Sequence, residues 1–270
     1  MEERYRPMVD VTELFDGLAD RYDRSAGYFA AFAGPLVELA EPAPNGIVVD
    51  VAAGTGAVTG ALRHRLGENT RVLAVDRSIP MLRRLRRRRL PRTQVALMDA
   101  RRLALPDRSI ALVTAGFLLH FVTDAGEMLR EARRVLAPGG VLLASTPGPC
   151  DDGGWWQHYG EVLAPYAAQV SQRRPTDMND WAHDIGALAA AAGLVDVDRH
   201  AAEVHLPMRG PEHYREWLMS MGNRWIDDAL APAAAAALRD DIIASLRTHH
   251  PAGGHRLDAG ATLWRMRAPR

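Results

Sequence analysis

Three carboxylates follow three apolar segments of the sequence, and a glycine-rich turn follows the first of them. Asp50 ends IVVD, Asp76 ends RVLAVD and Asp99 ends TQVALMD, while Gly54 and Gly56 come just after Asp50. Glycine lets a ligand approach the backbone closely, and it lets a turn adopt angles that are closed to residues with a Cβ. The arrangement of strand, glycine turn and helix therefore predicts a nucleotide-type ligand beside this turn.

The charges of these side chains select among nucleotide ligands. Asp76 is placed to accept hydrogen bonds from both ribose hydroxyls of an adenosine, and Asp99 to accept one from the adenine amino group. Asp50 beside the turn would repel a pyrophosphate and attract the ammonium group of a methionine moiety. The dinucleotide fingerprint G-x-G-x-x-G also fails, because Thr59 stands in place of its third glycine. An NAD-type oxidoreductase is therefore the disfavoured alternative.

The pattern of apolar segments predicts the scaffold that positions these residues. Short apolar runs alternate with helical patterns, which predicts an α/β fold with a doubly wound, mostly parallel, seven-stranded sheet. In such sheets, ligands bind beyond the carboxyl ends of the strands. Strands are expected from Ile47 and at 71–76, 93–99, 110–116, 140–146, 194–206 and 260–267, with two helices in 11–40 and others at 158–170, 179–192, 211–222 and 232–249.

Length and charge set the expected organisation. The 270 residues predict a single domain, 1–270, since one α/β core with insertions accommodates that length. A net charge of zero gives no general attraction to nucleic acid or an anionic membrane. The N-terminus lacks an apolar signal region, so we expect a cytoplasmic protein. We also expect a monomer or homodimer. The expected parts are an N-terminal helical cap at 1–45, a cofactor-binding core at 46–148, a lid and acceptor region with the sixth strand at 149–259, and the last strand at 260–270.

Two absences from the composition exclude whole classes of enzyme. All 33 basic residues are arginine, and without lysine there is no Schiff-base nucleophile, pyridoxal-phosphate anchor or phosphate-loop lysine. Cys150 is the sole cysteine, which excludes an intramolecular disulfide and any multi-cysteine metal centre. Since histidines and carboxylates do not cluster at metal spacing either, no metal is expected.

Taken in order, the motifs resemble class I S-adenosylmethionine-dependent methyltransferases, especially the ubiquinone/menaquinone-biosynthesis-like branch that also includes natural-product enzymes. The resemblance covers roughly residues 12–148 and implies a Rossmann-like fold with helical lid insertions. It also implies S-adenosylmethionine as cofactor and S-adenosylhomocysteine as product. The matching segments are DVAAGTG at 50–56, AVDRS at 74–78, MDARRLALPD at 98–107, FLLHFVTD at 117–124 and REARRVLAPGGVLLAS at 130–145.

The resemblance further implies a set of cofactor-binding residues. Tyr22 would reach back over the cofactor, and Arg77 and Met81 would flank the adenosine. Two residues depart from the family pattern: Ala52 replaces the first glycine of the loop, and Ala111 replaces an aspartate. The full expected set is Tyr22, Asp50, Ala52, Gly54, Thr55, Gly56, Asp76, Arg77, Met81, Asp99, Ala100 and Phe117.

The acceptor side is expected in the aromatic segments. His120 is the best candidate for a general base and His158 a second one, although His120 suits packing equally well and His158 suits a surface. Trp155 and Trp156, in a glycine-rich loop, are expected to form a movable lid with the helices at 211–222 and 232–249, and simple packing is the competing interpretation. The expected acceptor-binding residues are Tyr28, Trp155, Trp156, Tyr159 and Trp217.

The expected reaction is in-line methyl transfer to a small, fairly apolar metabolite, by O- or C-methylation in specialised metabolism. The alternative is a cyclase or other non-methylating enzyme that binds S-adenosylmethionine on the same fold. The arginine run at 83–89 could contact RNA, but helical geometry makes it a solvated face, so no nucleic-acid partner is expected.

Overall fold

In the computed structural model, residues 11–20, 22, 27–40, 46–66, 70–120, 122–123, 125–173, 183–221 and 223–270 are described. They fall into two compact units between which the chain passes repeatedly. The sheet unit comprises the described parts of Gly27–Pro149, Asn179–Glu203 and Gly260–Arg270. The helical unit comprises those of Met1–Ala26, Cys150–Met178 and Val204–Ala259. The segments 150–178 and 204–259 of the helical unit lie within the predicted lid region, 149–259, whereas 179–203 falls in the sheet unit.

Seven strands form the sheet in the order β3-β2-β1-β4-β5-β7-β6. Strands β1 to β5 pair in parallel with their neighbours, and β7 pairs antiparallel with β5. The predicted fold class is thereby confirmed. The strand order reverses between β1 and β4, and ligands bind at this kind of switch point. The strands are β1 Ile47–Val51, β2 Arg71–Asp76, β3 Thr93–Leu97, β4 Ile110–Gly116, β5 Leu136–Gly148, β6 Val195–Pro207 and β7 Arg256–Arg267.

Ten α-helices are assigned within the described residues, and none of them is long and apolar enough to cross a membrane. In the sheet unit, α2 packs on α3 and α5 packs on α7; in the helical unit, α10 packs on α6 and α8. The helices are α1 Val11–Leu18, α2 Tyr28–Glu38, α3 Ala57–Arg65, α4 Ile79–Arg87, α5 Ala125–Val135, α6 Trp155–Gln169, α7 Ile185–Ala191, α8 Pro211–Leu218, α9 Arg224–Ala229 and α10 Pro232–His249.

Local sequence signals account for several helix ends. Pro211 and Pro232 begin α8 and α10 as predicted, because proline's fixed φ suits the first helical turn, where its missing N–H costs nothing. Ser78 caps α4 by accepting a hydrogen bond from the Met81 backbone N–H at 3.2 Å. Gly193, at φ +77°, follows α7 and ends it as predicted.

The structure corrects the prediction that the two tryptophans lie in a flexible loop. Trp155 and Trp156 form the first turn of α6, which begins three residues earlier than predicted. The cause is Asp152, whose carboxylate accepts hydrogen bonds from the backbone N–H groups of Gly154 at 2.9 Å and Trp156 at 2.6 Å. Other boundaries differ too: β5 and β7 begin four residues early, β3 ends before Asp99, and the predicted helix 211–222 ends at Leu218 before a separate α9.

Candidate functional site

The turn that joins β1 to α3 requires glycine at two positions. Gly54 and Gly56 have φ angles of +54° and +92°, in the left-handed region that residues with a Cβ avoid. A Cβ added at Gly56 would lie 2.2 Å from Cδ1 of Leu85 on α4. The packing against α4 therefore leaves no room for a side chain at this position. The turn therefore presents bare backbone at the switch point of the sheet.

Ala52, which departs from the family pattern, also has a left-handed backbone. Its φ is +50°, and its side chain is half-buried. The chain thus adopts the glycine conformation here with an alanine, at some cost in backbone strain. The same turn includes Thr55, which is 3% exposed.

Asp76 links the end of β2 to the glycine turn. Its Oδ2 accepts a hydrogen bond from the Gly54 backbone N–H at 2.8 Å, and its Oδ1 accepts one from Ser78 N–H at 2.8 Å. The residue is half-buried and lies directly beside the glycine turn. Such a carboxylate fits the role predicted for Asp76, which is to accept hydrogen bonds from a ribose diol.

Asp50 was expected to attract the ammonium group of a methionine moiety, but its carboxylate is not open to a ligand. It is 1% exposed, and its two oxygens accept hydrogen bonds from the hydroxyls of Thr59 at 2.5 Å and Thr114 at 2.7 Å. Burial raises the pKa of Asp50 to about 6, with the two hydroxyls opposing the rise. The residue lies inside β1 and joins this strand to α3 and β4, so its role is internal.

Asp99, after the end of β3, is held by arginines. Arg101 donates to it from its backbone N–H at 2.9 Å and from Nη2 at 2.7 Å, and Arg77 Nε lies 3.9 Å from Oδ2. Although partial burial opposes it, these hydrogen bonds and charges lower the pKa of Asp99 below its ordinary value. The structure thus brings together Arg77 and Asp99, both of which are expected beside the adenosine. An adenine amino group would share the carboxylate with Arg101.

Three other predicted cofactor residues have different surroundings. Ala100 lines a small apolar cavity together with Leu103, Leu119 and Met128. Met81, on the buried face of α4, is 1% exposed and therefore packs in the core. Tyr22, in the helical unit, lies against the ring of Phe15, with centroids 6.1 Å apart.

Phe117, in the sheet unit, is surrounded by three other aromatic rings. Its φ of +50° is unusual for a bulky residue, and its backbone N–H donates to the Ser145 hydroxyl at 3.0 Å. Its ring lies 5.4 Å from those of Tyr28 and Phe32 and 5.5 Å from that of Phe29. Tyr28, expected on the acceptor side, is 6% exposed in this cluster, next to a predicted cofactor residue.

The environment of His120 disfavours a role as general base. The side chain is 8% exposed, and burial, together with nearby His183, lowers its pKa to about 3. An imidazole with so low a pKa is uncharged at neutral pH and is a weak proton acceptor. The packing role that the sequence analysis left open accounts better for this histidine.

Four of the five predicted acceptor residues form one aromatic cluster in the helical unit. Trp155 is 0% exposed, with ring centroids 5.8 Å from Tyr159 and 6.1 Å from Tyr214. Trp156 lies 5.9 Å from Trp217, which is 1% exposed. The burial of Trp155 and Trp217 supports the packing interpretation for these two residues. We name this group, Trp155, Trp156, Tyr159, Tyr214 and Trp217, the aromatic cluster.

His158 lies beside this cluster on α6. Its ring centroid is 4.0 Å from that of His249, and its Nδ1 is 3.3 Å from Glu161 Oε2. Nothing in these contacts marks it as a base. Among the residues that the structure describes, no three histidine, cysteine or acidic side chains lie close enough together to hold a metal ion.

Sequence reasoning missed two polar groups. Arg88, in the arginine run, donates from Nη1 to the carbonyl oxygens of Gly56 at 2.5 Å and Thr55 at 3.3 Å, so it braces the glycine turn. A signal was present, because Met81, Leu85 and Arg88 recur at helical spacing on one face of α4.

The second group lies in the helical unit. His205 Nδ1 is 2.7 Å from Oδ1 of Asp258, which is 0% exposed. The sequence alone does not predict this pair, since nothing in it sets the register of β6 and β7.

Comparison with known proteins supports the motif assignment. Residues 48–140 match the family described as "Methyltransferase domain". A malonyl-[acyl-carrier protein] O-methyltransferase of Halorhodospira halophila is 35% identical over 69% of this chain and 61% of its own length. A ubiquinone/menaquinone biosynthesis C-methyltransferase of Hydrogenovibrio crunogenus is 33% identical over 53% of this chain and 59% of its own. The chain thus spans about three fifths of these two relatives.

Two further comparisons extend over most of the chain. The nocamycin O-methyltransferase of Saccharothrix syringae is 29% identical over 89% of this chain and 92% of its own length. The YcgJ protein of Bacillus subtilis, a solved structure, shares the fold with a TM-score of 0.55 at 17% identity, over 88% of this chain and 98% of that one.

Proposed function

Because the chain belongs to the S-adenosylmethionine-dependent methyltransferases, we propose that it transfers the methyl group of S-adenosylmethionine to a small, fairly apolar metabolite. The observation that carries the proposal is the contact of Asp76 with the glycine turn. A carboxylate at the end of β2 holds Gly54 N–H at 2.8 Å, at the switch point of the sheet. This arrangement presents hydrogen-bond acceptors for a ribose beside bare backbone for the methionine moiety.

The residues of the sheet unit fit the cofactor in three parts. Asp76 accepts hydrogen bonds from the ribose hydroxyls, and the turn at Ala52–Gly56 lies against the methionine moiety. Arg77 and the Asp99–Arg101 pair border the adenine, beside the apolar cavity lined by Ala100. Arg88 keeps the turn in place from the side of α4.

The reaction needs orientation more than proton chemistry. The sulfonium of the cofactor supplies an already activated methyl group, and the protein holds an acceptor atom in line with it in a pocket kept free of water. Phe117 and its neighbours Tyr28, Phe29 and Phe32 provide rigid apolar area next to the predicted cofactor residues. Their part is to exclude water.

The acceptor is proposed to be a specialised metabolite that is methylated on oxygen or carbon. Of the relatives compared, the nocamycin enzyme matches over nearly its whole length, so its similarity extends past the cofactor-binding segments. Trp156, which is partly exposed within the aromatic cluster, supplies apolar surface of matching character. We place the protein in the cytoplasm as a monomer or homodimer, with Trp156 and helices α8 and α10 contributing to a lid.

Three measurements test this function. Calorimetry with S-adenosylmethionine should give micromolar affinity, and tritium from the labelled methyl group should appear in a product when plausible phenolic, enolic and carboxylic metabolites are screened. A product that forms without tritium would favour the non-methylating alternative. Turnover should persist in EDTA, and a loss of activity restored by magnesium would contradict the metal-free reaction.

A further inference from the structure

Arg88, at the end of α4, contacts the backbone where the glycine turn passes into α3. Its Nη1 donates hydrogen bonds to the carbonyl oxygens of Gly56 at 2.5 Å and Thr55 at 3.3 Å. Its own backbone is held by the helix end, since the Arg88 N–H donates to the Leu85 carbonyl oxygen at 3.0 Å. The guanidinium group therefore reaches the turn from a fixed position on α4.

A glycine inside α3 leaves room for this guanidinium group. Gly60 follows Gly56 by about one helical turn, and a Cβ added at Gly60 would lie 2.8 Å from Nη2 of Arg88. The three heavy atoms nearest to that Cβ all belong to Arg88. Glycine in a helix interior is less favourable than alanine. The contact with Arg88 is therefore the structural reason for glycine at this position.

The directions of the two carbonyl groups determine which polar groups the turn presents to a ligand. The carbonyl oxygens of Thr55 and Gly56 point toward Arg88 on α4. Because a peptide unit is planar and trans, the Ala57 N–H, which shares its peptide unit with the Gly56 carbonyl, points away from that guanidinium group. A carbonyl oxygen would repel the carboxylate of a methionine moiety, whereas an N–H group would attract it. The guanidinium group therefore fixes the polarity of the turn.

We propose that Arg88 is a positioning residue which, with Gly60, holds the turn in the form that receives the amino-acid end of S-adenosylmethionine. The inference rests on the proposed function and deepens it. Arg88 acts through the turn carbonyls and requires no contact with the cofactor. Asp50, expected at this end of the cofactor, is internal, while Asp76 is assigned to the ribose. The two ends of the cofactor therefore depend on different side chains.

The first test compares two ligands by isothermal titration calorimetry. S-adenosylhomocysteine has the amino-acid end, whereas 5′-methylthioadenosine keeps the adenosine and lacks the ammonium and carboxylate groups. Arg88→Gln should weaken binding of S-adenosylhomocysteine about tenfold, because the turn loses its charged hydrogen-bond donor. Binding of methylthioadenosine should stay within about twofold of the wild type, because the ribose contact is intact. The control is Arg87→Gln, at an exposed arginine that makes no hydrogen bond to the turn among the described residues, and it should bind both ligands like the wild type.

The second test displaces the guanidinium group without removing it. In Gly60→Ala the new Cβ should push the end of the Arg88 side chain off the turn, so S-adenosylhomocysteine should bind about threefold or more weakly. The same variant should unfold at an equal or higher urea concentration than the wild type, since alanine favours the helix. Gly160→Ala is the matched control, at an exposed position inside α6 where an added Cβ meets nothing within 4 Å. It should bind both ligands like the wild type.

The double variant Arg88→Gln/Gly60→Ala shows whether the two residues act together. It should bind S-adenosylhomocysteine within about twofold of Arg88→Gln alone, because no guanidinium group remains to be displaced. Additive losses, equal losses for both ligands, or unchanged affinity in Arg88→Gln would overturn the proposal. A lower urea midpoint for Gly60→Ala would also overturn it, by showing that the helices move and not the guanidinium group. A wild type that binds neither ligand would instead contradict the proposed function.

Discussion

Among the residues that the structure describes, each unit buries one carboxyl group almost completely, and the two are stabilised in opposite ways. Asp50 in the sheet unit is held by the neutral hydroxyls of Thr59 and Thr114, and burial raises its pKa to about 6. Asp258 in the helical unit is held by Arg256 and His205, and its pKa is lowered. A buried carboxyl with neutral donors takes up a proton in mild acid, whereas one paired with an arginine keeps its charge. Asp50 therefore serves internal structure, and Asp258 remains an ionised hydrogen-bond acceptor.

The helical unit contains the aromatic cluster, and the largest expected effect on stability is the removal of the indole at its centre. Trp155→Ala should lower the free energy of unfolding by about 3–5 kcal/mol, because it empties the centre of the aromatic cluster. Urea unfolding measures the loss. Leu97→Ala, at a residue that is 57% exposed, is the control and should cost less than about 0.5 kcal/mol.

The affinity of the same variant for S-adenosylmethionine tests whether cofactor binding depends on the helical unit. Provided that folded Trp155→Ala protein is obtained at low temperature, its affinity for S-adenosylmethionine should stay close to that of the wild type, since no predicted cofactor contact except Tyr22 belongs to the helical unit. A collapse of cofactor binding in folded protein would show that the tryptophan supports the cofactor site directly.

A pH series on Asp50 tests the contrast between the buried carboxyls. In the unfolded chain an aspartate titrates near pH ~4, while the folded protein holds the Asp50 proton up to a pH of about 6. As the pH falls through this window, the folded state gains a proton before the unfolded state does, so Asp50 adds stability on acidification. The gain is at most about 3 kcal/mol.

The measurement is the difference in unfolding free energy between the wild type and Asp50→Asn across that window. It should shift in favour of the wild type as the pH falls. At the Asp258 carboxyl the sign reverses, because a lowered pKa gives stability above the unfolded value that is lost on acidification. A flat difference for Asp50 would mean that the two hydroxyls fully compensate its burial.

The sequence predicted those features that depend on neighbouring residues. The strands, the glycine turn, the position of Asp76 at the end of β2 and the proline starts of α8 and α10 all depend on local patterns. The orientation of Asp50 could not be read in this way, because β1 continues to Val51 and its side chain meets Thr114 across the sheet, in register. Contacts between distant segments, such as Trp156 with Asp258, need a strand register that local patterns do not encode.

Asp76→Ala should have an intermediate effect, and it tests whether this carboxylate binds the cofactor. Loss of its charge-assisted hydrogen bonds should weaken S-adenosylmethionine binding by about 1.5–3 kcal/mol, or roughly 10- to 150-fold. Isothermal titration calorimetry measures this change. The exposed Asp151→Ala is the control and should bind the cofactor like the wild type. Unchanged affinity in Asp76→Ala would exclude a contact between this carboxylate and the ribose.

The smallest expected effect concerns the turn itself, where Ala52 takes a backbone conformation suited to glycine. At φ +50° a Cβ approaches the following carbonyl oxygen, which costs about 1–2 kcal/mol. Glycine removes that cost but gains about 0.4–1 kcal/mol of conformational entropy in the unfolded chain. Ala52→Gly should therefore raise the free energy of unfolding by about 0.8 kcal/mol, which is the difference between the midpoints of these two ranges. Ala53→Gly is the matched control: its φ is not left-handed, and its methyl packs with Ala74 and Leu85, so it should destabilise instead. Equal destabilisation of both variants in urea would show that the alanine is unstrained.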